Sequence, residues 1–256
     1  IVIKGNITQK YKINDLKSID DNKFDIIFIT NPSSFHIDTF LKLKNQRDAY
    51  VFIEKPLDVS LKKISSLNKL IKRNNLNVFV GCNLRFTKPY EIIKKKIYSK
   101  NLGKINYVMI KSSLNIIDYH SYEDYKKSYT SNKKLGGGIN FTSIHEIDLI
   151  LNLFDKTSIY FSLSEKISNL KIDVNDFSTS VFKTSIKKNK FLTLLTMDHF
   201  QVTKERYLKI IFEKGEIMWD IIKNSIVITK KNSKKTIHIK NNHNKMYLDE
   251  MKYFLN

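Results

Sequence analysis

Three short clusters combine side chains able to move protons with backbone able to hold a ligand. Glu54-Lys55-Pro56 follows the apolar run Ala49 to Ile53. A lysine at the end of a strand, partly screened from water, loses some preference for its ammonium form and can exchange a proton with a hydroxyl. Pro56 sets the loop, a cis bond being one way to do so. Taken alone, the tripeptide reads more simply as a solvated Glu–Lys pair. Asn31-Pro32-Ser33-Ser34-Phe35-His36 follows a second apolar run, Phe24 to Thr30. Pro32 ends that strand, and the helix after it offers free N–H groups to an anion or a ribose. His36, on the first turn, reaches the same edge, although an ordinary loop with a surface histidine explains the segment equally. The third cluster is Gly136-Gly137-Gly138, then Thr142, His145 and Asp148. Glycines permit positive φ and close backbone approach. The spacing predicts one helix from about Gly138 to Phe154, with Thr142 and His145 on one face. A neutral imidazole there orients or deprotonates a substrate hydroxyl. His145 and Asp148 are too few ligands for zinc, so no metal is expected.

The elements that must carry these clusters alternate. Strands at Phe24 to Thr30, Ala49 to Ile53 and Asn77 to Cys82 are separated by helices, one starting at Ser33 and one at Ser60. The second has Leu61, Ile64, Leu67, Leu70 and Ile71 at helical spacing. Runs this apolar, in this order, predict a parallel, doubly wound sheet covered on both faces. Ile1 to Lys4 reads as a further strand and Asp15 to Ile19 as a brief helix. A dinucleotide fold normally opens on a strand, a glycine-rich turn and a helix. Gly5 stands alone, so the chain reads as starting in mid-sheet and as cut at both ends, with some tens of residues expected upstream. From about Lys104, strands with alternating polarity and short turns predict a largely antiparallel sheet with one wet face. The expected division is residues 1–84, an α/β part, and 85–256, an α+β part, joined near Asn83 to Lys88.

Composition narrows the partners. A net charge of +20 invites nucleic acid. The lysines, however, run along the whole chain beside abundant Asn and Ile. The densest stretch, Lys230 to Lys240, lacks the interleaved aromatics of a single-strand platform. No nucleic-acid partner is expected. The apolar runs fall far short of the roughly 20 residues that span a bilayer, and no signal peptide opens the sequence. Cys82 is the only cysteine, which excludes an intrachain disulfide. A cytoplasmic protein without a membrane partner is the simplest expectation.

Taken together, and in this order, the clusters resemble the glucose–fructose oxidoreductase / inositol 2-dehydrogenase (Gfo/Idh/MocA) family. The matching pieces are Asn31, Pro32 and His36; Glu54-Lys55-Pro56; Val80 to Phe86; and Tyr125 to Tyr129 leading to the glycine triplet and Ile144 to Asp148. The resemblance implies a Rossmann domain followed by an open-faced sheet whose far side often mediates oligomers, so a homo-oligomer is expected. It implies NAD or NADP as cofactor and a sugar or nucleotide-sugar substrate, with a link to surface-polysaccharide pathways. Lys55 takes the family's catalytic lysine position and His145 that of the active-site histidine. Asn31, Pro32, His36 and Glu54 line the cofactor groove, and Arg85 lies where cofactor and substrate regions meet. Thr142 stands where many members carry Asp, so proton transfer is expected to rest on Lys55. No acidic residue at Lys4-Gly5-Asn6 marks the end of the second strand, which leans toward NADP or toward indifference between the two. The competing reading is a non-catalytic sugar- or nucleotide-binding relic of the same fold, suggested by the missing glycine-rich turn.

Overall fold

Three β-branched and aromatic stretches form the first sheet: β1 (Ile26–Ile29), β2 (Tyr50–Ile53) and β3 (Asn77–Val80). The computed structural model describes residues 23–118, 123–239 and 243–256. The expected strand Ile1 to Lys4, the brief helix near Asp15 and the Lys4-Gly5-Asn6 segment lie outside the described residues. The three strands are parallel, in the order β1-β2-β3, as the alternation predicts. On one face Ile27, Ile29, Val51 and Ile53 pack with Ile37 and Phe40 of α1 (His36–Leu41) and with Leu67 and Leu70 of α2 (Ile64–Asn74). The other face presents Phe28, Phe52 and Phe79 to Phe254, their ring centroids 5.5–6.1 Å from it. Phe254 sits near the end of α6 (His243–Leu255).

Both helix starts fall later than the sequence suggests. Ser33–Phe35 form a 3₁₀ turn and α1 begins only at His36. Before α2, the Asp58 carboxylate accepts the N–H groups of Val59 and Ser60, at 2.5 and 3.2 Å. That turn holds the chain out of helix through the first expected residues.

The chain forms two units: residues 1–82 with 134–137 and 250–256, and residues 83–133 with 138–249. The second is built on an eight-stranded sheet, β4 (Ile105–Ser113), β5 (Lys156–Glu165), β6 (Phe177–Ile186), β7 (Asn189–Asp198), β8 (Glu205–Phe212), β9 (Gly215–Asp220), β10 (Ser225–Lys230) and β11 (Ser233–His238). The order is β11-β10-β9-β8-β4-β7-β6-β5, antiparallel except between β4 and β7. One face buries Val108, Ile110, Leu195, Leu208, Ile210 and Trp219 in a core shared with α3 (Lys88–Tyr98) and α5 (Ile144–Leu153). The opposite face is exposed, as expected, but carries an apolar stripe. Tyr107 and Met109 are opposite Leu192 and Leu194, flanked by Val181 and Ile211. Tyr107, Leu192 and Leu194 are all substantially exposed.

Candidate functional site

In the first unit, the expected residues gather at the carboxyl edge of the parallel sheet. The pairing of β1 with β2 and of β2 with β3 continues past the strands, through Glu54 N–H to Ile29 O (2.9 Å) and Gly81 N–H to Ile53 O (2.8 Å). Thr30, Glu54 and Gly81 therefore stand in a row, with Asn31 one residue beyond, at the edge where open α/β sheets bind ligands. Glycine is required at 81, because a Cβ there would come within 2.6 Å of the Phe52 ring.

His36 corrects the sequence reading. It is no surface histidine but is 1% exposed, with Nδ1 2.7 Å from Pro56 O and Nε2 2.7 Å from Asn31 O. Both its ring nitrogens are thus engaged by backbone carbonyls, which ties the loop after β1 to the loop after β2. Lys55 and the buried Pro56, joined by a cis peptide bond, form part of the second loop. Lys55 and Glu54 are half-buried, and the Glu54 carboxylate accepts the Lys55 N–H at 3.2 Å. Asn31 donates from its side-chain amide to Thr39 Oγ1 at 2.8 Å.

The glycine triplet behaves as its composition suggests, and it divides between the units. Gly136 has φ +86° and packs on the loop after β1, where a Cβ would meet Ser34 N at 2.9 Å and Val59 at 2.8 Å. Ser34 Oγ donates to Lys134 O at 2.7 Å in the same region. Gly138, with φ +111°, opens the second cluster.

That cluster lies in the second unit. The single helix expected from Gly138 to Phe154 is broken into α4 (Ile139–Thr142) and α5, with Ser143 at φ −99°, ψ 34° between them. Thr142 Oγ1 donates back to Gly138 O at 3.0 Å, and Ser143 Oγ is 3.3 Å from Ser112 Oγ on β4. His145 is half-buried on the first turn of α5. Two buried carboxylates, Glu146 and Asp148, follow it in sequence, and each has an arginine. Arg206 Nε donates to Glu146 Oε1 at 2.5 Å, and the Arg85 guanidinium makes two bonds to Asp148, one of them 2.7 Å from Nε to Oδ2. Arg85, expected beside cofactor and substrate, is thereby tied to α5. Arg206 drew no attention in the sequence.

A buried knot lies where β4, β6 and β7 end. The Asp198 carboxylate accepts Ser113 Oγ (2.5 Å) and the N–H of Gln201 (2.8 Å). Burial works to raise the Asp176 carboxyl, but the Ser168 hydroxyl, the Ile167 N–H and Lys166 hold it below its ordinary value. Burial pushes the His199 imidazole down to about 4, against the pull of Asp176 and Asp198. His199 is therefore neutral in the folded protein, whereas the unfolded chain takes up its proton near pH 6.5. Its contribution is complete above that value and falls away as pH drops toward about 4, by roughly 3 kcal/mol in all. Denaturant midpoints at pH 7.5 and 4.5 should differ less in His199→Gln than in the wild type, and equal differences would contradict this account. Among the described residues no cluster of His, Cys, Asp and Glu suits a metal ion, and no helix is long and apolar enough to cross a membrane.

A three-stranded parallel sheet and a mainly antiparallel eight-stranded sheet define a two-part architecture, α/β and then α+β. Residues 6–82 match the profile of the Gfo/Idh/MocA group, described as the oxidoreductase family with an NAD-binding Rossmann fold. The chain is 27% identical to the scyllo-inositol 2-dehydrogenase (NAD(+)) of Bacillus subtilis (strain 168) over 96 residues, 38% of this chain and 28% of that one. In structure it resembles a levoglucosan dehydrogenase in complex with NADH and levoglucosan, with a TM-score of 0.77 at 14% identity over 94% of this chain and 73% of that one. It also resembles the WlbA dehydrogenase of Bordetella pertussis in complex with NADH and UDP-GlcNAcA, with a TM-score of 0.70 at 15% identity over 92% and 66%. The curated relatives are matched over only 28% to 48% of their own length.

The carboxyl edge of the first sheet carries polar groups that suit the hydroxyl and amide donors of such a cofactor. Asn31 Oδ1 is buried and meets no donor among the described residues, so a ribose hydroxyl or carboxamide N–H would satisfy it. Glu54 adds a half-buried carboxylate in the same row.

Proposed function

We propose that the protein is an NAD-dependent oxidoreductase that moves hydride between the cofactor and a carbon of a sugar or nucleotide-linked sugar. The observation that carries this reading is the placement of Lys55. It stands at the carboxyl end of a central parallel strand, in a loop that His36 clamps to the loop after β1. The bound nicotinamide supplies or accepts the hydride. As the C–H bond of a secondary alcohol breaks, Lys55 Nζ takes the hydroxyl proton and a carbonyl forms; in reduction Lys55 returns the proton to the oxygen. Asn31, Pro32 and Glu54 line the ribose. His145 orients the sugar hydroxyls, with Thr142 beside it in sequence. The Arg85 guanidinium has five donors, two of which go to Asp148.

Support for NAD over NADP comes from neighbours described with NADH, and support for a sugar comes from what those two neighbours hold. The likeness of Tyr125 to Tyr129 to members of surface-polysaccharide pathways favours a role there. The apolar face around Tyr107, Leu192 and Leu194 suits assembly into a homo-oligomer. Incubating the protein with NADH deuterated at C4 and a panel of free and nucleotide-linked keto-sugars should place deuterium on a sugar carbon. A keto-sugar that binds together with NADH yet is recovered without deuterium contradicts the reading.

A further inference from the structure

The two edges of the eight-stranded sheet are protected differently. An edge strand leaves a row of backbone N–H and C=O groups without a neighbour, and folded proteins blunt such a row with short strands, lysines or a cover. β11 is blunted in this way. It is six residues long, and its Lys234 and Lys235 stand exposed beside Lys230 and Lys231 at the turn before it. β5, at the other edge, is not. It is ten residues long, pairs only with β6 among the described residues, and is exposed throughout except at Thr157 and Ser164. Its middle is apolar, with Ile159, Tyr160 and Phe161 68%, 64% and 51% exposed and Leu163 close behind. Lys183 Nζ lies 4.4 Å from the centroid of the Tyr160 ring. A long apolar edge of this kind is a template for another strand.

The ends of β5 say which strand. Lys156 opens it and Glu165 closes it; both are exposed, and neither is held in an ion pair among the described residues. Laid antiparallel about a two-fold axis between Tyr160 and Phe161, two copies of β5 set Lys156 of each opposite Glu165 of the other. The same register sets Tyr160 opposite Phe161, Ile159 opposite Ser162 and Ser158 opposite Leu163. Cross-strand pairs of aromatic rings and of opposite charges are favourable, and the two-fold makes each of them twice. A parallel arrangement would instead put lysine beside lysine and glutamate beside glutamate, and a strand of uniform charge would be repelled at one end. The register shift of β5, between Ile159 and Phe161, falls at the axis. The carbonyls of Ser164 and Glu165 are already engaged, by the Asn175 side chain at 3.0 Å and by Asp176 N–H at 3.1 Å. Main-chain pairing therefore runs from Ser158 to Leu163, and the end charges act through their side chains.

We propose that β5 is a self-association edge, at which a second copy of this chain adds its own β5 antiparallel and continues the sheet from one molecule into the next. The proposal concerns assembly and stands apart from the redox reading.

Sedimentation equilibrium of the whole protein tests it in a Leu192→Glu background, which removes association through the face around Tyr107 and Leu194. Leu192 is 45% exposed, so the fold tolerates the change. The mass difference between wild type and Leu192→Glu reports that face separately. The Leu192→Glu protein is expected to remain dimeric at tens of micromolar. Adding Lys156→Glu sets like charges opposite each other twice and should raise the dissociation constant by about tenfold or more. Adding Glu165→Lys as well rebuilds both pairs in reverse and should bring the constant back to within about threefold of the background. Ile159→Lys, at an exposed position and with native circular dichroism, should leave a monomer. A monomeric Leu192→Glu protein would overturn the proposal. So would a dimer indifferent to Ile159→Lys, or a reversed charge pair that fails to recover association.

Discussion

Replacing Lys55 by alanine is expected to lower turnover of the sugar by two or more orders of magnitude, the usual scale for a lost general acid–base group. The loop that presents Lys55 is held independently of its side chain, by His36 between Pro56 O and Asn31 O and by the sheet pairing at Glu54. Lys55→Ala should therefore fold and keep most of its NADH affinity, so that the loss falls on turnover. Lys55→Arg should not rescue it, since a guanidinium does not release its proton in proteins. Turnover within a few-fold of wild type in Lys55→Ala would remove the lysine from the chemistry.

The largest effect on stability is expected at Arg206. Its partner Glu146 is fully buried, with Oε2 unpartnered among the described residues and Oε1 on the Arg206 guanidinium. Arg206→Met leaves a carboxylate buried without its cation, a change that costs about 3–5 kcal/mol. Removing both charges together, in Arg206→Met with Glu146→Leu, should restore most of that loss, because a well-packed apolar pair does not need the ion pair. Equilibrium denaturation of the two single variants and the double variant checks this. Additive losses would show that the two side chains do not act as a pair.

The parallel strands were legible because their β-branched and aromatic runs are short, apolar on both faces and stopped by Asn31-Pro32, Pro56 and Gly81. The row of ligand-facing positions at their carboxyl ends followed from that order alone. Other features depend on partners remote in sequence. His36 reads as a surface residue until Pro56 O, 20 positions away, meets its ring. The break at Ser143 has no glycine or proline to announce it, and Ser143 meets Ser112 on β4. The outer face of the large sheet carries lysines in alternation, which reads as wet, yet the register brings Tyr107, Met109, Val181, Leu192 and Leu194 together. Arg206 did leave a signal. It is one of only four arginines in a chain whose basic residues are otherwise lysine, and two of the four grip carboxylates of α5. Where composition so favours lysine, a retained arginine marks a site needing its rigid fork of donors.

Hydrogen exchange with and without NADH probes a nicotinamide site at the carboxyl edge of β1 to β3. Saturable binding with slowed exchange at residues 30–36, 54–58 and 81–82 is expected. Binding that leaves those three loops unprotected, or no binding by the folded protein, would contradict it.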